Sequence, residues 1–244
     1  MKDFSFCVSM STIPSRVKNI NDILENINNQ TLKPNKIFLN VPLKYNRFRN
    51  EIISEKDLDD IRKENVEIIR CNDYGPGTKI MGSINKVQNY DCVILLDDDH
   101  IYDKNICKIF LEAFKKEPVN YSFYLNKIFS IKMGQCADGF LMNTKLLDNI
   151  EIFYEKYVKN NSNMFLDDDL WLAIYLQKEK KSSIKNLINT FRNQVNKDVV
   201  YEQNINSKID GLHLTVHKDG FFLNRRKIQK LEYIKYILKS YFKI

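Results

Sequence analysis

The sequence predicts an α/β domain in which a mostly parallel sheet is flanked by helices. Three observations predict it. Short apolar runs alternate with stretches whose apolar residues recur at helical spacing, hydrophobic residues make up 43% of 244 positions, and only seven glycines and five prolines interrupt the chain. Such alternation favours parallel strands joined by helical crossovers, with both faces of the sheet covered. A chain of this length and content buries a sizeable core as one large domain.

The elements follow in order. "FSFCVSM", residues 4–10, reads as a strand, and "VKNINDILENINN", behind Pro14 and Ser15, as the helix after it. "KIFLNV" is a second strand closed by Pro42, and residues 49–63 form a charged helical stretch. "VEIIR" is the third strand; the loop "CNDYGPG" leads from it into "TKIMGSINKV", expected to be helical. "DCVILLD" is the fourth strand, with a helix expected from Asp103 and Lys104. "GQCADGFLMN" is a Gly-bearing loop, and "FLDDDLWLAIYLQKEK" an amphipathic helix with Leu170, Trp171, Ile174 and Tyr175 as its stripe.

Charge and cysteine usage narrow the classes. The net charge is +7, but residues 225–244 hold seven Lys or Arg against one Glu, so the remainder is almost neutral. A whole-protein basic field for nucleic acid is therefore absent, and a basic tail is present. The five cysteines form no C-x-x-C pair, which fits reduced thiols rather than a disulfide framework or a zinc site. The N-terminal apolar run is too short for a signal segment or a membrane span. The expected location is the cytoplasm, with peripheral contact at the inner face of a membrane. The division expected is a domain over 1–224 and a basic amphipathic helix over 225–244. In that helix Leu231, Ile234, Ile237, Leu238, Tyr241 and Phe242 recur at helical spacing, with Lys235, Lys239 and Lys243 opposite. Such a helix lies in an anionic membrane interface or packs its apolar stripe on its own domain or a second copy.

The candidate chemistry sits in two aspartate triplets. Asp97, Asp98 and Asp99 follow the fourth strand, where α/β sheets bind ligands. Adjacent carboxylates relieve repulsion by sharing a proton or binding a cation, and hard divalent ions take oxygen ligands. One aspartate could cap the next helix, but three after a buried strand are harder to explain so. Asp167, Asp168 and Asp169 open the later helix, where capping accounts for one or two. Between them, "DYGPGTK" offers Asp73 and Lys79 beside two glycines, without the Walker A pattern.

The order "STIPSR", "LLDDD", "ADGFLM" and "DDDLWLAIYL" resembles the GT-A fold glycosyltransferases, especially the family 2 type that uses nucleotide sugars, over roughly residues 4–180. The resemblance implies Mn²⁺ or Mg²⁺ as cofactor, a nucleotide-sugar donor and an acceptor hydroxyl on a glycan or lipid-linked glycan. It implies Asp99 as the main metal ligand and Asp97 as a metal or ribose contact. Asp98 falls with the nucleotide sugar, as do Thr12, Arg16, Asp73, Lys79 and, on the donor sugar, Asp138. Asp169 takes the place of the base, with Asp168 the alternative one residue earlier. A late histidine closes the metal site in many such enzymes, and His217 is the choice over His213. The family's Q-x-x-R-W segment is absent, which argues against processive polysaccharide synthases.

Metal-dependent transfer from a UDP-linked sugar, with inversion, is the expected activity; no nucleic-acid partner is expected. Two alternatives remain. A sugar nucleotidyltransferase needs a Gly-rich loop after the first strand, where "STIPSR" has no glycine. A non-catalytic metal- or carbohydrate-binding module does not need two triplets.

Overall fold

Strand β1 (Phe6–Ser11) is the hub of the sheet. It pairs in parallel with β2 (Lys36–Pro42) on one side and with β4 (Cys92–Leu95) on the other, while β2 carries β3 (Val66–Cys71), also in parallel. Beyond β4 lies β9 (Phe140–Asn143), antiparallel to both β4 and β6 (Asn120–Ser122). The edge strand β10 (Ile184–Asn186) runs parallel to β6. The seven strands are therefore ordered β10-β6-β9-β4-β1-β2-β3. A short ribbon pairs β5 (His100–Tyr102) with β11 (Tyr201–Asn204), and a hairpin joins β7 (Leu125–Ile128) to β8 (Ile131–Gly134). This computed structural model describes residues 4–49, 51–61, 64–195, 200–204 and 222–242.

The strands divide their side chains between two cores, as the period of two requires. Phe6, Val8 and Met10 of β1, with Ile37, Leu39 and Val41 of β2 and Cys92 and Ile94 of β4, face one core. Helices α1 (Ile20–Asn28), α2 (Glu55–Asp59), α5 (Ile106–Lys116) and α9 (Ile188–Val195) close it. Cys7, Phe38, Val93 and Leu95 face the other. There α3 (Thr78–Met81), α4 (Ile84–Val87), α6 (Ile150–Tyr157), α7 (Ser162–Phe165), α8 (Asp168–Ile174) and α10 (Phe222–Phe242) pack. With apolar layers on both sides, the strands read as near-continuous hydrophobic runs. All five cysteines are free thiols. No helix among the described residues is long and apolar enough to cross a membrane.

Four expectations are corrected. Among the described residues, the helix expected around 49–63 is confined to α2, opened by a reciprocal capping box between Ser54 and Asp57. "TKIMGSINKV" is two helices, α3 and α4. A Cβ at Gly82 would meet Asn40 Oδ1 at 2.7 Å, and the Ser83 hydroxyl bonds Ser9, so the chain turns in to the sheet there. The helix after the second triplet is not amphipathic. Leu170 through Leu176 are all buried, so α8 is the apolar-all-round kind that sits inside a core. Finally, α10 docks by the unexpected face: Gln229, Glu232, Tyr233 and Tyr236 are buried, whereas Leu231, Ile234 and Leu238 are exposed.

Candidate active site

From β1 the chain moves outward through β2 to β3 and then returns to the other side of β1 as β4. The order reverses between β1 and β4, so the loops after these strands diverge at their carboxyl ends, the place where open α/β sheets bind ligands. The loop after β1 brings Thr12 and Arg16 there, and the loop after β4 brings Asp97–Asp99. Asp73 and Lys79 follow β3, Asp138 lies in the turn between β8 and β9, and Asp167–Asp169 head α8.

The first triplet is not a helix cap, because β5 separates it from α5, whose cap residue is Asn105. Its carboxylates part in an unexpected way. Asp98 and Asp99 share Arg16, whose Nη1 lies 2.6 Å from Asp98 Oδ1 and 3.1 Å from Asp99 Oδ2. Asp97 turns instead to Lys79, whose Nζ also lies 3.1 Å from Asp168 Oδ2. Lys79 thus joins the two triplets, whose bonded aspartates stand 71 positions apart (from 97 to 168). Its backbone is fixed by polar residues placed in mid-strand: Ser9 Oγ and Asn40 Nδ2 both donate to the Lys79 carbonyl. The buried Tyr102 hydroxyl accepts from the Asp97 amide at 2.8 Å and lies 3.2 Å from the Ala137 carbonyl, tying the triplet to the loop of Asp138.

The second triplet divides its work. Asp167 caps α8 through the Leu170 amide and is gripped from α10 by Gln229 Nε2 at 2.7 Å and by Arg225. Asp168 meets Lys79. Asp169 Oδ1 accepts from the Cys136 amide at 3.0 Å. Asp73 shapes the neighbouring loops by accepting from the Asn46 and Gly75 amides. Thr12 is buried, and its carbonyl accepts from the Tyr45 hydroxyl. The structure therefore brings Arg16, Lys79, Asp97, Asp98, Asp99, Asp168 and Asp169 together. His213 and His217 lie outside the described residues. Sequence reasoning passed over His100, whose Nδ1 is 2.6 Å from Asp99 Oδ1, although it stands next to the triplet in the chain. It also passed over Cys136, Arg225 and Gln229, which carry no local motif.

No protein-family model matches the chain, and no curated protein matches it in sequence. Solved structures align with it distantly. S. aureus TarS 1–349 in complex with UDP is 13% identical with a TM-score of 0.42, over 68% of this chain and 55% of that one, so the chain spans little more than half of it. A cytidylyltransferase from Leptospira borgpetersenii is 12% identical with a TM-score of 0.48, over 74% and 73% of the two chains. A 4-diphosphocytidyl-2C-methyl-D-erythritol synthase from Anaerococcus prevotii is 10% identical with a TM-score of 0.46, over 75% and 88%. Likenesses this distant fix no activity.

The electrostatics divide the site in two. Burial opposes charge on Arg16, yet Asp98 and Asp99 outweigh it and keep the guanidinium raised. For Lys79 burial is likewise outweighed, by Asp168 and Asp97. Burial also works against charge on Asp99, but His100, Arg16 and Lys79 hold its carboxyl below the ordinary range. Two other carboxyls are shifted the opposite way. Burial, then Asp168 and Asp167, push Asp169 to about 8, and burial lifts Asp138 to about 6 against the pull of His100.

The divalent ion that the resemblance implies needs oxygen ligands with unmet charge. Asp98 fits, since its Oδ2 is buried without a hydrogen-bond partner, and Asp97 and Asp99 stand on either side of it. The ligand atoms of Cys136, Asp168 and Asp169 also converge, within 4.8 Å. That grouping suits a hard ion poorly. Burial holds the Cys136 thiol well above its ordinary value, and a protonated thiol is no ligand for a hard ion. Its effect is to crowd Asp169 and raise it.

Proposed function

We propose that this protein is a divalent-metal-dependent glycosyltransferase that moves a sugar from a UDP-linked donor to a hydroxyl of a glycan or lipid-linked glycan, with inversion. The observation that carries the reading is the meeting of both triplets on Lys79 at the sheet's switch point, beside a second buried cation, Arg16. Two fixed cations in a crevice offer a diphosphate its partners. Asp97, Asp98 and Asp99, with His217 as a late ligand, would hold Mn²⁺ or Mg²⁺, which supplies Lewis-acid stabilisation of the leaving diphosphate. Thr12 and Asp73 line the nucleotide side, and Asp138 the donor sugar.

Asp169 is the base. With its pKa raised to about 8, the ionised Asp169 carboxylate accepts a proton more strongly than an ordinary aspartate, and a general base contributes ~10²–10⁴-fold. The Cys136 amide fixes the bonded oxygen, and the other is the atom that would take the acceptor's proton. Asp168, ion-paired to Lys79, serves to place that lysine.

The test is a panel of nucleotide sugars with Mn²⁺, following the released nucleotide. Nucleoside diphosphate release supports the reading. Pyrophosphate release from a nucleoside triphosphate and a sugar phosphate identifies a nucleotidyltransferase instead. Binding of a sugar or metal with no turnover in either assay leaves a non-catalytic module.

A further inference from the structure

The docked helix α10 leaves an apolar ridge in solvent. Leu231 and Leu238 are each 50% exposed and Ile234 44%. At about 100° per residue these three fall within about 60° of one another, on the side opposite Gln229 and Tyr236. The ridge is not an error of packing, because the buried face is specifically built. Glu232 is 1% exposed and accepts from Asn161 and Asn163, Gln229 grips Asp167, and the Tyr236 hydroxyl donates to Glu179.

A second element extends the ridge. Phe129, at the tip of the β7–β8 hairpin, is 51% exposed and stacks on Tyr233 with ring centroids 5.9 Å apart. Its φ of 50° is left-handed, where a bulky side chain is strained and Gly or Asn is not. Between hairpin and helix runs an apolar groove of about 340 Å³, lined by Phe129, Tyr233, Ile234, Ile237 and Leu238.

Charge decides what covers this surface. On the helix, Lys230 lies on one flank of the ridge and Lys235 and Lys239 on the other, all exposed. The single acidic residue of α10, Glu232, is buried underneath and takes Lys235 as an ion-pair partner at 2.8 Å, while Lys230 and Lys239 flank the ridge on its two sides. On the hairpin, exposed Lys127 and Lys132 are direct cross-strand partners. Like charges placed so repel, which an anionic surface would relieve. Apolar residues rimmed by lysines on two adjoining elements match a bilayer interface, where long lysines reach back to headgroups while the ridge enters the acyl boundary.

We propose that Phe129, Leu231, Ile234 and Leu238, with their lysine rim, form a docking face for an anionic lipid bilayer. The proposal stands independently of the reaction. The test is flotation of the full chain with vesicles of phosphatidylcholine alone and of phosphatidylcholine with phosphatidylglycerol. Binding is expected only to the anionic vesicles and falls as salt screens the lysines. Leu231→Asp with Leu238→Asp is expected to weaken partitioning at least about tenfold while the circular dichroism spectrum stays as in wild type. Should that variant not fold, Lys230→Gln with Lys239→Gln removes rim charge without touching the docked face and is expected to weaken anionic binding. Absence of flotation at low salt, or equal flotation of the folded variants, overturns the proposal. So does a concentration-dependent dimer that the leucine variant dissociates in the absence of vesicle binding, which would assign the face to a second copy.

Discussion

Asp169→Asn separates stability from catalysis in one substitution. The carboxyl has an ordinary value of 3.8 and a folded value of about 8. Its folded pKa is raised, so the stability it confers is full below about pH 4 and is lost as pH climbs towards about 8. At ~1.36 kcal/mol per unit, keeping it protonated at pH 7 while the unfolded chain ionises costs about 4 kcal/mol. Coupling to Asp168 makes that an upper figure, and about 2–4 kcal/mol is the working range. Asparagine keeps the oxygen that accepts from the Cys136 amide and never ionises. Urea denaturation of the metal-free proteins should therefore show the variant more stable by that amount at pH 7 to 8 and nearly equal to wild type near pH 4. On the proposed function the same variant keeps Mn²⁺-dependent stabilisation by a nucleotide sugar and loses transfer. A stability difference that does not change with pH refutes the burial argument. Turnover near wild type in both this variant and Asp168→Asn refutes the base.

Two further perturbations test the links between elements. Lys79→Met removes the cation that Asp97 and Asp168 share in a buried site and should cost about 3–5 kcal/mol in urea denaturation, since uncompensated carboxylates remain; a loss under 1 kcal/mol means that the pair is solvated. Gln229→Ala with Arg225→Ala frees Asp167 from α10, and should lower stability by about 1–3 kcal/mol and loosen the start of α8, read as faster amide exchange at Leu170 and Trp171. Unchanged exchange there shows that the tail does not brace the triplet.

The sequence carried the parallel half of the sheet because β1, β2 and β4 are buried on both faces and so are mostly apolar, with Ser9 and Asn40 as the buried polar exceptions that hold the Lys79 carbonyl. It also placed both triplets at element ends. What it could not carry was pairing. Asp97 and Asp99 are two apart, which in a regular strand sends both the same way, yet the turn after β4 sends Asp97 to Lys79 and Asp99 to Arg16 with Asp98. Nor was the docking face of α10 legible. Periodicity pointed to Leu231, Ile234 and Leu238 as the buried stripe, but Asn161, Asn163, Asp167 and Glu179 make a polar seat that only Gln229, Glu232, Arg225 and Tyr236 can satisfy. Pattern reasoning fails there because it assumes that the partner surface is apolar.

The two buried cations bear on how such a site would be filled. Arg16 and Lys79 each hold two carboxylates, so an arriving diphosphate must draw them away from partners at 2.6 to 3.1 Å. Drawing them away alone would strand the adjacent carboxylates of Asp97, Asp98 and Asp99, and Asp98 is already raised, by burial first and then by Asp99. A divalent ion alone would crowd the same two cations. Each ligand therefore relieves the cost that the other creates, and the proposed reading requires positive coupling between metal and donor. By linkage the coupling is reciprocal: Mn²⁺ raises donor affinity by the same factor by which donor raises Mn²⁺ affinity. The closed thermodynamic cycle also fixes where the coupling resides. Substituting Asp98, whose Oδ2 is buried without a hydrogen-bond partner, should abolish it more completely than substituting Asp138.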